Sequence, residues 1–272
     1  MIMFIGLANY MNDESTLTLT LTGLGLLLIV IYGWFSYVVR ESEGGLYDDQ
    51  VDMSFRWGMA WFIFSEVMFF AAFFGALYYA RELSLPWLAG DGSGVSTNQE
   101  LWPSFENVWP SNGPANYGGD FVVMKAAGIP ALNTIILLIS GLTVTWAHHG
   151  LKEGKRNQLI LGLIATVLLG FIFVGFQAYE YSHAYNDLNL KMSSGIYGST
   201  FYMLTGFHGF HVTLGAIMLT VILFRCIRGH FSNENHFGFE AVAWYWHFVD
   251  VVWLGLFVLS LIHISEPTRH RG

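Results

Sequence analysis

The feature that most constrains this chain is a set of apolar runs too long for a water-soluble core. Six segments qualify: approximately Thr16–Val39, Phe55–Tyr79, Ile129–His148, Leu159–Tyr181, Ser199–Ile227 and Ala241–Ile262. A helix needs about 20 mostly apolar residues to cross the ~30 Å hydrocarbon layer of a bilayer. In lipid, every backbone N–H and C=O must be satisfied within the segment, which favours helices. The expected fold is therefore an all-α polytopic membrane bundle. Composition agrees, with 54% hydrophobic and only 12% charged residues, about half the charged share of a soluble domain. Met1–Met11 is also apolar but about half the needed length, so the expectation is six full helices and the stub of another.

Charge and cysteine content exclude several function classes. The net charge of −8 resides in acidic loops, so a nucleic-acid partner is not expected. Cys226 is the single cysteine, which rules out a disulfide framework or a paired-cysteine metal site. No basic segment followed by a small-residue cleavage site marks a removable signal peptide. Lys and Arg set the orientation. Arg40, Arg56, Lys152, Lys155, Arg156, Arg225 and Arg228 gather on one side, the expected inner side. The long outer loop, residues 81–128, carries Trp87, Trp102, Trp109 and most of the prolines, and is expected to fold against the membrane face. Gly162, Thr166 and Gly170 recur every fourth position, and Gly206 and Gly209 lie on another span. Small residues at such spacing let helices approach closely.

Polar residues inside the spans are the candidates for chemistry. Glu66 lies about ten residues into its helix, ~15 Å deep and near the midplane. A carboxylate there costs about 3 kcal/mol on insertion scales, so it is protonated or held by polar partners. It reads as a proton-linked, carbodiimide-reactive acid or as a neutral acid bonding between helices, and both readings stand. His208 and His211 are three apart, as are His247 and Asp250, while Glu180 and Glu240 lie near helix ends. Such spacing can furnish metal ligands in a bundle. The paired Glu-x-x-His signature is absent, however, and adjacent His148 and His149 cannot share a helix face. Interhelical hydrogen bonding is therefore preferred, with no metal expected. Arg225, Arg228 and His230 cluster at a helix end, as anionic head-group sites or as plain inner-side anchors. Trp57, Trp61, Trp244, Trp246 and Trp253 are assigned to interface belts and packing.

Several strings carry a family likeness. These are Arg56-Trp-Gly-Met59 with Ser65-Glu-Val-Met-Phe-Phe70, Leu132-Asn-Thr134, Thr145-Trp-Ala-His-His149 and Gly195-Ile-Tyr-Gly-Ser-Thr-Phe201. Gly206-Phe-His-Gly-Phe-His211, His236-Phe-Gly-Phe-Glu240 and Trp244-Tyr-Trp-His-Phe-Val-Asp-Val-Val-Trp253 continue the series. From about Tyr32 to Val258 the chain resembles subunit III of haem–copper cytochrome c oxidases. The resemblance implies a seven-helix architecture of two splayed helices beside a five-helix bundle, with phospholipid in the cleft between. Domains follow at 1–53, the cleft pair, and 54–258, the bundle. It implies a non-redox subunit that binds no haem or copper, stabilises subunit I and supports proton uptake and sustained turnover. Subunits I and II, which hold the haem and copper, and phospholipids are the implied partners.

By the same resemblance Glu66 is the carbodiimide-reactive acid, and Trp34, Glu41, Arg225 and Arg228 are lipid contacts. His148, His149, His208, His211, Glu240, His247 and Asp250 are structural motif residues. No residue is expected to be catalytic. The implied location is a bacterial inner membrane, or the mitochondrial inner membrane if the chain is organellar. Phe35 and Ser36 stand where the family often has Trp and Arg, and Leu46-Tyr-Asp-Asp49 replaces a His-His-Thr-Pro string, which alters the head-group segment. Alternatives are the third subunit of a quinol oxidase, a proton-coupled transporter relaying through Glu66, or a metalloenzyme using His208, His211 and His247. The second helix and its preceding stub favour the cytochrome c type.

Both ends are expected to differ from the natural protein. Met1 would be an internal methionine. Residues 259–272 would be non-native, since Leu259-Ser-Leu-Ile-His-Ile-Ser-Glu-Pro-Thr-Arg269 resembles an in-frame translation of a transposon-derived sequencing adaptor. No function is then assigned to His263, Glu266 or His270.

Overall fold

The computed structural model describes residues 1–12, 17–116 and 118–258, and no strand occurs among them. The helices in chain order are α1 (Ile2–Met11), α2 (Thr18–Glu43), α3 (Asp49–Tyr79), α4 (Leu85–Leu88), α5 (Val95–Leu101), α6 (Ile129–Lys152), α7 (Arg156–Asn186), α8 (Gly195–Arg228) and α9 (Phe237–Gly255). Among the described residues six segments are long and apolar enough to span a membrane: α2, Asp49–Leu88, α6, α7, α8 and Phe237–Val258. This is the all-α polytopic bundle that the apolar runs predict. α1 is only 10 residues, ~15 Å of helix. The proposed tail from residue 259 lies outside the described residues.

Most helices run past the apolar stretches that announce them. α6 continues to Lys152, and α7 extends from Arg156 to Asn186. Leaving hydrocarbon does not end a helix; a break in backbone conformation does. Gly154 turns the chain between α6 and α7 at φ +69°, and Gly229 ends α8 in the left-handed region at φ +78°, where a side chain would be strained.

The chain forms two units, one of Met1–Phe55 and one from Arg56 onward. In the first, α1 lies on α2 through glycines. A Cβ on Gly23 would stand 2.3 Å from Met3 N, so only glycine permits this approach. Gly23 is the sole buried residue of α2. Most of its apolar side chains, including Leu28, Ile29, Tyr32 and Trp34, are exposed, as a surface for lipid or another subunit requires.

In the second unit α6 packs on α7, α7 on α8, α8 on α9, and α9 returns to α6. The small-residue pattern sits at these seams. A Cβ on Gly162 would lie 2.8 Å from the Ala147 Cβ, Thr166 bonds Thr143 across helices at 2.8 Å, and Gly170 faces the Trp246 ring. α3 joins through aromatics, with Phe69 edge-on to Phe207 (centroids 5.0 Å) and Phe62 stacked on Tyr245. Phe70, Trp246 and Trp253 are buried.

The outer loop folds on the bundle. Trp102 Nε1 donates to Leu88 O at 2.9 Å, and buried Trp109 sits edge-on to Tyr197, itself stacked on Phe121. Asn189 Nδ2 donates to the carbonyls of Gly118 and Asp120, tying this loop to the α7–α8 connection.

Candidate functional site

Glu66 faces inward from α3 and meets His211 of α8, with His211 Nε2 2.8 Å from Glu66 Oε2. The other ring nitrogen, Nδ1, lies 2.6 Å from the Phe207 carbonyl. A carbonyl only accepts, so Nδ1 carries a hydrogen. One further proton then lies between Nε2 and the carboxyl, held by either group. In both arrangements the pair is neutral overall, which removes most of the cost of an unpaired carboxylate at this depth. Phe69, Phe70, Phe210 and Tyr245 surround the imidazole.

A second acid–imidazole pair joins α6 and α9. Thr145 Oγ1 donates to Gly141 O at 2.9 Å and therefore accepts from His247 Nε2 at 3.1 Å. His247 Nδ1 faces Asp250 Oδ2 at 3.5 Å. The Asp250 carboxylate lies so close to α6 that a Cβ on Gly141 would come 2.4 Å from Oδ2. His208, fully buried, donates from Nε2 to the Val249 carbonyl at 3.2 Å. The i, i+3 histidines on α8 thus engage different neighbours, α9 for His208 and α3 for His211. Glu180, buried on α7, lines a cavity with Lys125 and His183 near the outer loop.

The third cluster lies at the inner end of the bundle. Arg56 Nη1 meets Glu240 Oε2 at 2.5 Å, and its guanidinium lies over the Phe237 ring at 5.1 Å. His148 Nε2 and His236 Nε2 each stand 3.4 Å from the other carboxylate oxygen, Oε1. His149, next along α6, points elsewhere and is exposed. Spacing had marked Glu240 and His148 separately. Arg56 was legible as an inner-side charge and a motif member, and His236 as a motif member, but not as partners of Glu240, because Arg56 and Glu240 are 184 residues apart.

Arg225 stacks on Phe231 (4.4 Å) and abuts Gly238, whereas Arg228 is exposed. In the first unit Trp34 and Glu41 are exposed, and Tyr47 donates to Glu41 Oε2 at 2.9 Å. Burial, and then the Glu41 carboxylate that accepts its hydrogen bond, push the Tyr47 hydroxyl above its ordinary range. In the α6–α7 turn, Lys155 bonds Glu153 at 2.6 Å and holds that carboxyl below its ordinary range. Both groups are exposed, so the pair adds little stability.

Together these features define a polytopic helical-bundle membrane protein in which the intramembrane acids Glu66 and Asp250 each face a histidine. The model of the family described as cytochrome c oxidase subunit III matches residues 1–90 and 101–264. The chain is 44% identical over 259 residues to cytochrome c oxidase subunit 3 of Carassius auratus, covering 95% of this chain and 88% of that one. It is 43% identical over 252 residues to the Chondrus crispus protein of that name, covering 92% and 80%. Against that of Prototheca wickerhamii it is 47% identical over 235 residues, covering 85% and 78%. The chain belongs to the cytochrome c oxidase subunit III family. It is accordingly a multi-pass membrane subunit of the terminal oxidase, an oxidoreductase complex of the respiratory chain. The family match reaches residue 264, further than the Val258 limit drawn from motifs alone.

Proposed function

We propose that this chain is the lipid-holding, non-redox subunit of its oxidase, stabilising subunit I and sustaining proton uptake during turnover. Haem and copper belong to subunits I and II in this reading, and the complex resides in a bacterial plasma membrane or the mitochondrial inner membrane. The observation that supports the reading is the Glu66–His211 hydrogen bond within an aromatic cage, on a helix position that its sequence depth places near mid-membrane. A hydrophobic carbodiimide reacts with protonated carboxyls in apolar surroundings, so it should label Glu66 in preference to Glu41 or Glu240. Glu66→Gln should abolish that label and leave most steady-state oxidase activity. Peptide mapping by mass spectrometry reads the outcome, and labelling that persists unchanged in Glu66→Gln rejects the assignment.

Phospholipid binding has its own test. Arg228 presents an exposed charge at the end of α8, and Arg225 lies one turn back, stacked on Phe231. Each basic residue near a membrane surface contributes about 1 kcal/mol of attraction to anionic lipid. Replacing both by alanine should therefore lower phospholipid retained by the purified oxidase and shorten its working life, both in part. Unchanged lipid phosphorus and unchanged turnover before inactivation would remove these residues from the lipid site.

A further inference from the structure

The inner-end cluster offers a donor set that neither the lipid nor the proton reading uses. His148 on α6, His236 at the start of α9 and Glu240 one turn later aim one atom each at a common point, all within 4.8 Å of one another. Arg56 occupies Glu240 Oε2 and leaves Oε1 to the imidazoles. Among the described residues neither Nε2 has a hydrogen-bond partner, although both atoms are buried. His236 Nδ1 is engaged by the Ser232 carbonyl at 3.2 Å, which fixes a hydrogen on Nδ1 and leaves Nε2 free to act as a lone-pair donor. Histidine ligands of metals are oriented by just such a bond from the second nitrogen. Electron-rich atoms converging on one point repel each other unless a proton or a metal ion lies between them.

We propose that His148, His236 and Glu240 form a binding site for a divalent transition-metal ion of the zinc class. Two imidazoles and a carboxylate are a common set for tetrahedral zinc with one open position. With metal–ligand bonds of about 2.05 Å, a tetrahedron has edges of about 3.3 Å. Both nitrogen-to-Oε1 separations are 3.4 Å. The third edge, between the imidazoles, must close from at most 4.8 Å to about 3.3 Å, which rotation of the partly exposed His148 ring would accomplish. That ring is already steered by Phe239 (5.3 Å) and by edge contact with His236 (5.5 Å). His236 is 7% exposed and Glu240 9%, while the His148 side chain at 21% gives the ion a way in. The open position takes water or an anion that offsets the added charge. The ion would clamp α6 to α9, beside the Arg56 contact from α3.

The test uses the purified oxidase complex containing this chain, stripped with a chelator, exposed to zinc and dialysed. Zinc per haem is then measured in wild type and in a His148→Ala, His236→Ala double variant. One zinc equivalent should be lost in the variant; equal zinc in both overturns the site. A readout on the unaltered complex covers the case in which the variant does not assemble. Zinc should protect His148 from diethylpyrocarbonate while exposed His149 remains reactive, and chelator should restore modification. His148 modification that is the same with and without zinc also overturns the site.

Discussion

Replacing Trp246 by alanine should strip this subunit from the purified complex, or at the least lower its thermal unfolding midpoint more than any other tryptophan substitution. The indole is fully buried and lies where four helices meet. A Cβ on Gly170 of α7 or Gly215 of α8 would stand 2.8 Å from a ring carbon, so both helices present bare backbone to its faces. Its Nε1–H donates to Ser140 Oγ of α6 at 2.9 Å. Truncating a buried Trp costs about 3–5 kcal/mol through lost contacts and the cavity left behind. In a bilayer that loss weighs heavily, because helix association rests on packing and interhelical hydrogen bonds rather than on water exclusion. Gly170→Val and Gly215→Val attack the same joint from the other side by overfilling it, and should act in the same direction. Trp57→Ala and Trp61→Ala are the controls, since those side chains are 62% and 64% exposed. Subunit recovery against haem content reads the result. Equal recovery in Trp246→Ala and the two controls would refute the packing role.

That contrast marks the boundary of what the sequence could disclose. The membrane spans were legible because length and apolarity are local properties, and one turn of helix looks the same whatever it later touches. Gly162, Thr166 and Gly170 were legible as a packing stripe for the same reason. Belt and core tryptophans were not separable by sequence, because Trp244 and Trp246 sit two residues apart on one helix and differ only in which neighbour they face. Partnerships were hidden more deeply. Glu66 was conspicuous for its depth, yet its partner His211 lies 145 residues away and was grouped instead with His208 by spacing. The shared spacing is real but puts the two rings against different helices. The inner-end cluster needed three helix ends to be brought together, which no local pattern encodes.

The same cluster yields the second large effect. Arg56→Met should destabilise the subunit by about 2–3 kcal/mol, while the double variant Arg56→Met, Glu240→Leu should recover most of that loss. The reason is an asymmetry of buried charge. An ion pair of this kind returns little net energy, because desolvating both partners offsets their attraction. Removing one partner leaves the other desolvated and alone, at a cost of about 3–5 kcal/mol when both are fully buried. Here the Glu240 side chain is 11% exposed and that of Arg56 34%, so water relieves part of the penalty and the lower figure applies. His148 and His236, each 3.4 Å from Oε1, can share the carboxylate but stand on its other side. Glu240→Leu alone should be milder than Arg56→Met, since the released guanidinium keeps its contact with Phe237 and can reach water at the membrane surface. The measurement is a double-mutant cycle on thermal stability of the detergent-solubilised complex, with chelator present throughout so that bound metal does not contribute. A coupling term near zero, with the two single losses adding in the double variant, would show that the pair does not hold α3 to α9.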